Sequence, residues 1–305
     1  MLDVAFITVN YNTRELLESL INFFRQARLP FSFSVTVVDN GSTDGSLEFL
    51  DTVPEVLTLK MGENLGYGKA MNRGIAQSHA RYLCLINTDV ELNEQALTAL
   101  VEHLDRHREV QVASPVIRYA DGRIQGFFFK FGLPTLYLDL YKKLCNSLIK
   151  RKVASAQRPL RVDGIAGAFI FCRSSLARHG KLFDENFFFY YEDTELAHRL
   201  YQAGHRCEVL PRESIIHYGG GSSSPRHIQL FYAGKYRYVR LLHGDGHARA
   251  VMLQDLMRVG AKRLFYELVG RVAPSEHINR KRESYSYVAQ TLNELQSGTQ
   301  DRKAL

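Results

Sequence analysis

The chain holds 305 residues, 45% hydrophobic and 23% charged, with 22 Gly, 8 Pro and a net charge of +7. That is enough apolar material for one large domain or two modest ones, and it excludes a disordered chain, a collagen-like repeat and a disulfide-stapled miniprotein. Cys84, Cys145, Cys172 and Cys207 are scattered with no C-x-x-C pair, so neither a zinc site nor a disulfide framework is signalled, and a reducing compartment is expected.

The opening residues, Met1 to Phe6, carry no basic n-region, so no secretory signal is expected. Val4–Val9 reads as a buried strand. Asn12-Thr13-Arg14-Glu15 has the form of a capping box, followed by Leu16, Leu17, Leu20 and Phe23–Phe24 at helical spacing. Val35–Val38 is a second strand and runs into the dense turn signal Asp39-Asn40-Gly41-Ser42-Thr43-Asp44-Gly45. Val56–Leu59 predicts a third strand, Ala70–Ser78 a helix and Tyr82–Ile86 a fourth strand. Asn93 is placed to cap a helix reaching His107, Val110–Val116 is a further strand, and Asp121-Gly122 marks a hairpin turn. Strands alternating with helices at this rhythm predict an α/β fold with a doubly wound, mostly parallel sheet. Ligands on such sheets bind at the carboxyl ends of strands, which here carry Asn10, Asp39, Asn64 and Asn87–Asp89.

Phe127–Lys152 turns aromatic and then basic, and 142–161 holds seven basic residues and no acidic one. An amphipathic surface segment and a helix packed on the core both fit this pattern. Val162–Cys172 and Arg206–Leu210 read as strands, and Asp193–Ala203 as a helix closed by Gly204. After Ser224 the pattern is helical, and residues 297–305 are expected to fray. Residues 1–198 hold 22 Lys and Arg against 23 Asp and Glu, whereas 199–305 hold 17 against 9. The positive excess therefore belongs to the last third, and it suits an anionic surface such as a membrane. A nucleic-acid partner is not expected, because no readout module accompanies the charge. No apolar run approaches the roughly 20 residues that span a bilayer.

Four stretches carry chemistry. The Asp39 carboxylate, at a strand end, suits the imide N–H of a pyrimidine, and Gly41 lets backbone approach a ligand; a tight turn capped by Asp explains the same residues. Asn87-Thr88-Asp89 offers hard oxygen ligands for a divalent cation held on a diphosphate, or is one more strand-end turn. Glu192-Asp193-Thr194-Glu195 opens a helix; the carboxylates complement the helix dipole, or one of them, among Phe189, Tyr190 and Tyr191, is a general base. His217, beside Gly219-Gly220-Gly221, is structural or a metal ligand through neutral imidazole, with the glycines and Arg226 able to close over phosphates. Gly66-Tyr67-Gly68-Lys69-Ala70-Met71 mimics a dinucleotide fingerprint, but Met71 stands in place of the third glycine.

In this order the pieces resemble the family 2 glycosyltransferases of GT-A fold. The matching residues are 8–12, 37–46, 63–74, 87–89, 164–169 and 192–196, together with His217. Within that family the likeness is to the rhamnosyltransferase-like branch that builds bacterial surface polysaccharides. The resemblance implies a catalytic domain over 1–226 and a helical region over 227–305. It implies a dTDP- or UDP-sugar donor bound by Asn10, Asp39, Gly41, Asn64, Gly66, Asn87, Thr88 and Arg226. It further implies Mg²⁺ or Mn²⁺ on Asp89 and His217, Asp193 as catalytic base, and Gly167, Ala168 and Glu192 at the acceptor. Asn87 departs from the family's Asp-x-Asp motif, which keeps a non-catalytic nucleotide-sugar binder in view. A sugar-phosphate nucleotidyltransferase is the other reading, although Asn10-Tyr11-Asn12-Thr13-Arg14 is no Gly-rich phosphate loop. The implied setting is cytoplasmic, peripheral on the inner membrane face, with a saccharide or lipid-linked acceptor; a homodimer through the C-terminal helices is also compatible.

Overall fold

The computed structural model describes residues 1–131, 139–219, 225–273 and 275–296, without the side chains of 139–145 and 225–226. The described residues divide into two compact units, those within 1–185 and 192–219, and those within 186–191 and 225–296.

The first unit is built on one large sheet. Strand β1 (Leu2–Asn10) pairs in parallel with β2 (Phe33–Asp39) and β4 (Ala80–Asn87), and β2 pairs in parallel with β3 (Leu57–Lys60). Beyond β4 lie β6 (Val110–Arg118), β10 (Phe169–Arg173), β11 (Arg206–His217) and β5 (Val90–Glu91), giving the order β3-β2-β1-β4-β10-β6-β11-β5. β11 runs parallel to β6, whereas β10 is antiparallel to both of its neighbours. β8 (Leu160–Val162) pairs with β11, and β7 (Phe128–Phe129) with β9 (Gly164–Ile165) forms a small separate sheet.

The apolar run of β1 is buried because helices cover the sheet. α1 (Arg14–Gln26) buries Leu17, Leu20, Ile21 and Phe24, and the Phe24 ring lies 4.7 Å from that of Phe6. α2 (Ser46–Leu50) and α3 (Tyr67–Ala76) follow, and α3 sits so close that a Cβ on Gly74 would stand 2.4 Å from Ile7 Cγ2. α4 (Glu94–Arg106) begins at Asn93, whose side chain accepts the N–H of Ala96 at 3.0 Å, as its sequence predicts. α5 (Asp139–Ser155) carries the basic stretch; most of its aromatic part lies outside the described side chains. α6 (Glu192–Gln202) ends at Gly204, with φ of +77°.

Two local readings change. The capping box at 12–15 does not form: Thr13 Oγ1 bonds to Asn10 Oδ1 at 2.8 Å, and the N–H of Arg14 goes to Asp44 Oδ2. The single strand expected over 162–172 breaks into β8, β9 and β10. Gly164 there presses against α6, where a Cβ would stand 2.6 Å from Ala197 Cβ.

The parallel register brings the strand ends together. Asn10 lies beside Asp39, and Val9 beside Asn87, so the carboxyl ends of β1, β2 and β4 form one rim.

The second unit is helical. α7 (Pro225–Val272) is interrupted at Gly244, whose φ of 80° and ψ of 176° leave the helical region. Buried Lys235, before the break, donates to buried Asp255, after it, at 2.6 Å, and the Tyr236 hydroxyl joins the same carboxylate at 3.1 Å. α8 (Glu276–Gln296) packs on α7 through the stacked rings of Tyr266 and Tyr285, 5.5 Å apart. No described helix is long and apolar enough to cross a membrane.

Candidate active site

At the β1–β2 rim, side chains substitute for the backbone partners that the strand ends lose. Fully buried Asp39 accepts from Asn10 Nδ2 at 2.9 Å and from the N–H groups of Gly41 and Ser42 at 3.2 and 3.0 Å. This is the Asx turn expected of the sequence, and it leaves roughly one acceptor position of the carboxylate unused. Asn40 reaches across to Asn64 Oδ1 at 2.9 Å, and its own Oδ1 takes the N–H of Leu65. A Cβ on Gly41 would come within 2.9 Å of the Glu63 backbone, so only glycine allows this approach. Gly66, at φ +84°, then starts α3.

At the end of β4, Thr88 Oγ1 lies 3.0 Å from Thr13 Oγ1, and the Asn87 N–H bonds to Ala168 O at 3.0 Å. Asn87 Oδ1 is buried with no partner among the described residues. Asp89 Oδ1 faces His217 Nε2 at 3.3 Å. Gln125 fixes the imidazole: its Nε2 donates to the His217 carbonyl at 2.6 Å, so its Oε1, 2.8 Å from Nδ1, must accept the Nδ1 proton. Nε2 is thereby aimed at a carboxylate oxygen: with a proton it donates to Asp89, and in the neutral ring its lone pair and the carboxylate together suit a cation. Burial pushes the Asp89 carboxyl up, but His217 and the Gly219 N–H hold it below its ordinary value. Among the described residues no three His, Cys, Asp or Glu side chains gather as a complete metal cage. The hard oxygen and imidazole pair nonetheless fits Mg²⁺ or Mn²⁺, which commonly take one or two protein ligands and fill the remainder with phosphate oxygens.

The third element is the start of α6. Asp193 Oδ2 accepts the Gly167 N–H at 2.9 Å and Oδ1 accepts the Thr194 N–H at 2.6 Å. A Cβ on Gly167 would stand 3.0 Å from Asp193 Cβ, so glycine permits this seating. Burial raises the Asp193 carboxyl, partly offset by those N–H groups. Glu192 is buried beside it, its Oε2 without a partner among the described residues, and burial plus the Asp193 charge lift it to about 8. Tyr67 donates to Gly167 O at 3.3 Å; burial and the charges of Glu192, Asp193 and Asp89 push its phenol well up. Directly before this helix start, Tyr190 and Tyr191 adopt φ of 69° and 70°, strained for bulky residues.

The extra proton on native Glu192 implies a pH effect. Its folded value lies above the ordinary carboxyl value of 4.5, so its stabilisation is fully present below pH 4.5 and lost as pH rises through about 8. Melting temperatures of a Glu192→Gln variant should therefore fall less than those of the parent between pH 5 and 8. An unchanged slope would place the ionisation elsewhere.

The structure thus brings together Asn10, Asp39, Gly41, Asn64 and Gly66 in one cluster. It brings Asp89 and His217 into a second, and Gly167, Glu192 and Asp193 into a third, with Asn87 and Ala168 joining the last two. The Arg226 side chain lies outside the described residues. Tyr67 and Gln125 are additions the sequence reading missed. Gln125 follows the Asp121-Gly122 turn, a signal for a hairpin but not for a histidine partner.

The sequence pattern of glycosyl transferase family 2 matches residues 5–178. N-acetylglucosaminyl-diphospho-decaprenol L-rhamnosyltransferase of Mycobacterium tuberculosis is 26% identical over 233 residues, covering 69% of this chain and 75% of that protein. Among solved structures, Pyrobaculum calidifontis mannosyltransferase PcManGT in complex with GDP-Man and Mn²⁺ superposes with a TM-score of 0.58 at 16% identity, covering 96% of this chain and 86% of that one. Residues 1–349 of Staphylococcus aureus TarS in complex with UDP give a TM-score of 0.53 at 16% identity, covering 97% of this chain and 92% of that fragment. These likenesses bear out the mostly parallel α/β GT-A architecture with its C-terminal helices.

Proposed function

The chain belongs to glycosyl transferase family 2, and from that premise we propose that it transfers a sugar, with inversion, from a nucleoside diphosphate to a hydroxyl of a saccharide or lipid-linked acceptor in cell-surface glycan synthesis. The donor in this reading is dTDP-L-rhamnose. The name of the mycobacterial relative, with its rhamnosyl product and lipid diphosphate acceptor, supports that choice, as does the sequence resemblance. The reaction is set at the cytoplasmic membrane face.

The observation that carries the proposal is that Asp89 faces His217 at 3.3 Å while Asp193 is seated on the Gly167 N–H at 2.9 Å, the two tied through the Asn87 N–H to Ala168 O bond within one unit. Asp193 takes the proton from the attacking acceptor hydroxyl at a carboxylate oxygen. Its raised basicity suits that role, and the Gly167 and Thr194 N–H groups keep the carboxylate aimed. Glu192, protonated at neutral pH, donates a hydrogen bond to an acceptor oxygen without adding negative charge. Asp39 accepts the base N–H with its remaining lone pair, while Asn10 and Ser42 fix its plane. Asp89 and His217 hold the divalent cation, with Gln125 locking the imidazole. That cation offsets the charge of the departing diphosphate when bound. Asn87 Oδ1, buried and without a partner among the described residues, accepts a donor hydroxyl.

Thermal melts with nucleotide sugars test the donor. With Mn²⁺ present, dTDP-rhamnose at a hundredfold excess over Kd should stabilise the protein by about 2.7 kcal/mol. Equal inertness toward dTDP-, UDP- and GDP-sugars would overturn the reading, whereas selective stabilisation by a UDP- or GDP-sugar would replace only the donor.

A further inference from the structure

The second half of α7 turns an apolar face to solvent. Leu253, Met257, Leu264 and Leu268 recur at spacings of four, seven and four, which keeps them on one side of a helix. Phe265 and Val272 widen the stripe; Met257 is 62% exposed, Leu268 52% and Val272 87%. These are not side chains awaiting the helix's own neighbour, because the opposite side already buries Val251, Asp255 and Val259. α8 packs through Tyr266 and Tyr285, so among the described residues of this unit the exposed stripe has no partner. From residue 253 to 272 the stripe runs for about 28 Å.

Its borders are basic. Arg249, Arg263 and Arg271 are exposed on the same helix, and Arg280, Lys281 and Arg282 follow across the hairpin. Residues 225–296 hold 12 Lys and Arg against 6 Asp and Glu.

We propose that this face of α7 lies flat in the interface of an anionic lipid bilayer, with Leu253, Met257, Leu264, Leu268 and Val272 entering the acyl boundary and the flanking arginines meeting lipid phosphates. The arrangement matches a monotopic amphipathic helix, in which apolar burial and attraction to anionic headgroups act together. A second copy of the chain fits less well. An antiparallel pairing centred near Gly260 sets Arg249 of one copy beside Arg271 of the other, so like charges meet at both ends of the seam. The inference does not depend on the sugar or acceptor, and its test is independent of turnover.

Co-sedimentation of the full chain with vesicles provides that test. The protein should pellet with phosphatidylcholine vesicles containing phosphatidylglycerol, far less with phosphatidylcholine alone, and less as salt rises. Leu264→Asp with Leu268→Asp should reduce binding at least about tenfold through lost apolar burial. Arg249→Gln with Arg271→Gln, which leaves the stripe intact and guards against a folding defect, should do the same through lost charge. Both variants should keep the far-ultraviolet circular dichroism of the parent. Equal partition onto neutral and anionic vesicles, or unaltered binding by the arginine pair, overturns the proposal. So does light scattering that shows a dimer dispersed by the Leu264→Asp, Leu268→Asp variant.

Discussion

An Asp193→Asn enzyme should lose between about 10² and 10⁴ of its turnover number, the range supplied by a positioned general base. The substitution is nearly isosteric, and the amide oxygen still accepts one N–H, either that of Gly167 or that of Thr194. The loop between β9 and β10 therefore keeps its place while the capacity to take a proton disappears. Donor binding should survive, because the residues that would hold the nucleotide lie on the β1 and β2 ends and in the turn before α3. The decisive comparison is transfer rate against the donor-induced melting shift in the same preparation. Turnover within tenfold of the parent would move the base to another group, and Glu192, whose Oε2 is buried without a partner among the described residues, would be the next to replace.

An Asp89→Ala enzyme should fail differently. Removing the carboxylate leaves His217 as the only member of the pair, so Mn²⁺ should no longer strengthen donor binding. Transfer should fall by at least about 10²-fold, since charge stabilisation at a leaving diphosphate is worth several kcal/mol. Metal titrations followed by donor binding separate this from the Asp193 result, where the metal response persists. If Asp89→Ala retains a parental Mn²⁺ response, the Asp89–His217 assignment is wrong. Replacing Gln125 with Leu should weaken the same response more mildly, because it frees the imidazole to turn without removing it.

How much of this was readable beforehand depends on how far apart the interacting residues are. Short-range signals carried well: the buried run of β1, the Asn93 cap, the Gly204 terminator and the strand-end Asx turn at Asp39 each rest on a few neighbouring residues. The capping box failed because Thr13 had a better use, tying Asn10 to Thr88 across two strand ends. No local pattern reveals that competition. The strand expected over 162–172 was apolar enough, yet Gly164 and Gly167 are needed for close approach to α6 and end the ladder instead. Likewise, Asp89 and His217 were legible singly, but their facing geometry depends on Gln125, joined to His217 from 92 residues away. Tyr67 went unnoticed because it looks like one more apolar helix residue until its hydroxyl is seen to meet Gly167 O, 100 residues away.

The break in α7 has a mechanical consequence. Gly244 alone would make a loose elbow, yet Lys235 on one arm and Asp255 on the other are bolted together away from water, with Tyr236 as a brace. The forearm's pitch is thus held by a buried carboxylate together with the apolar packing of Val239, Ala248 and Val251 around the joint. A change of side chain at Asp255 therefore loosens the elbow while leaving that packing in place.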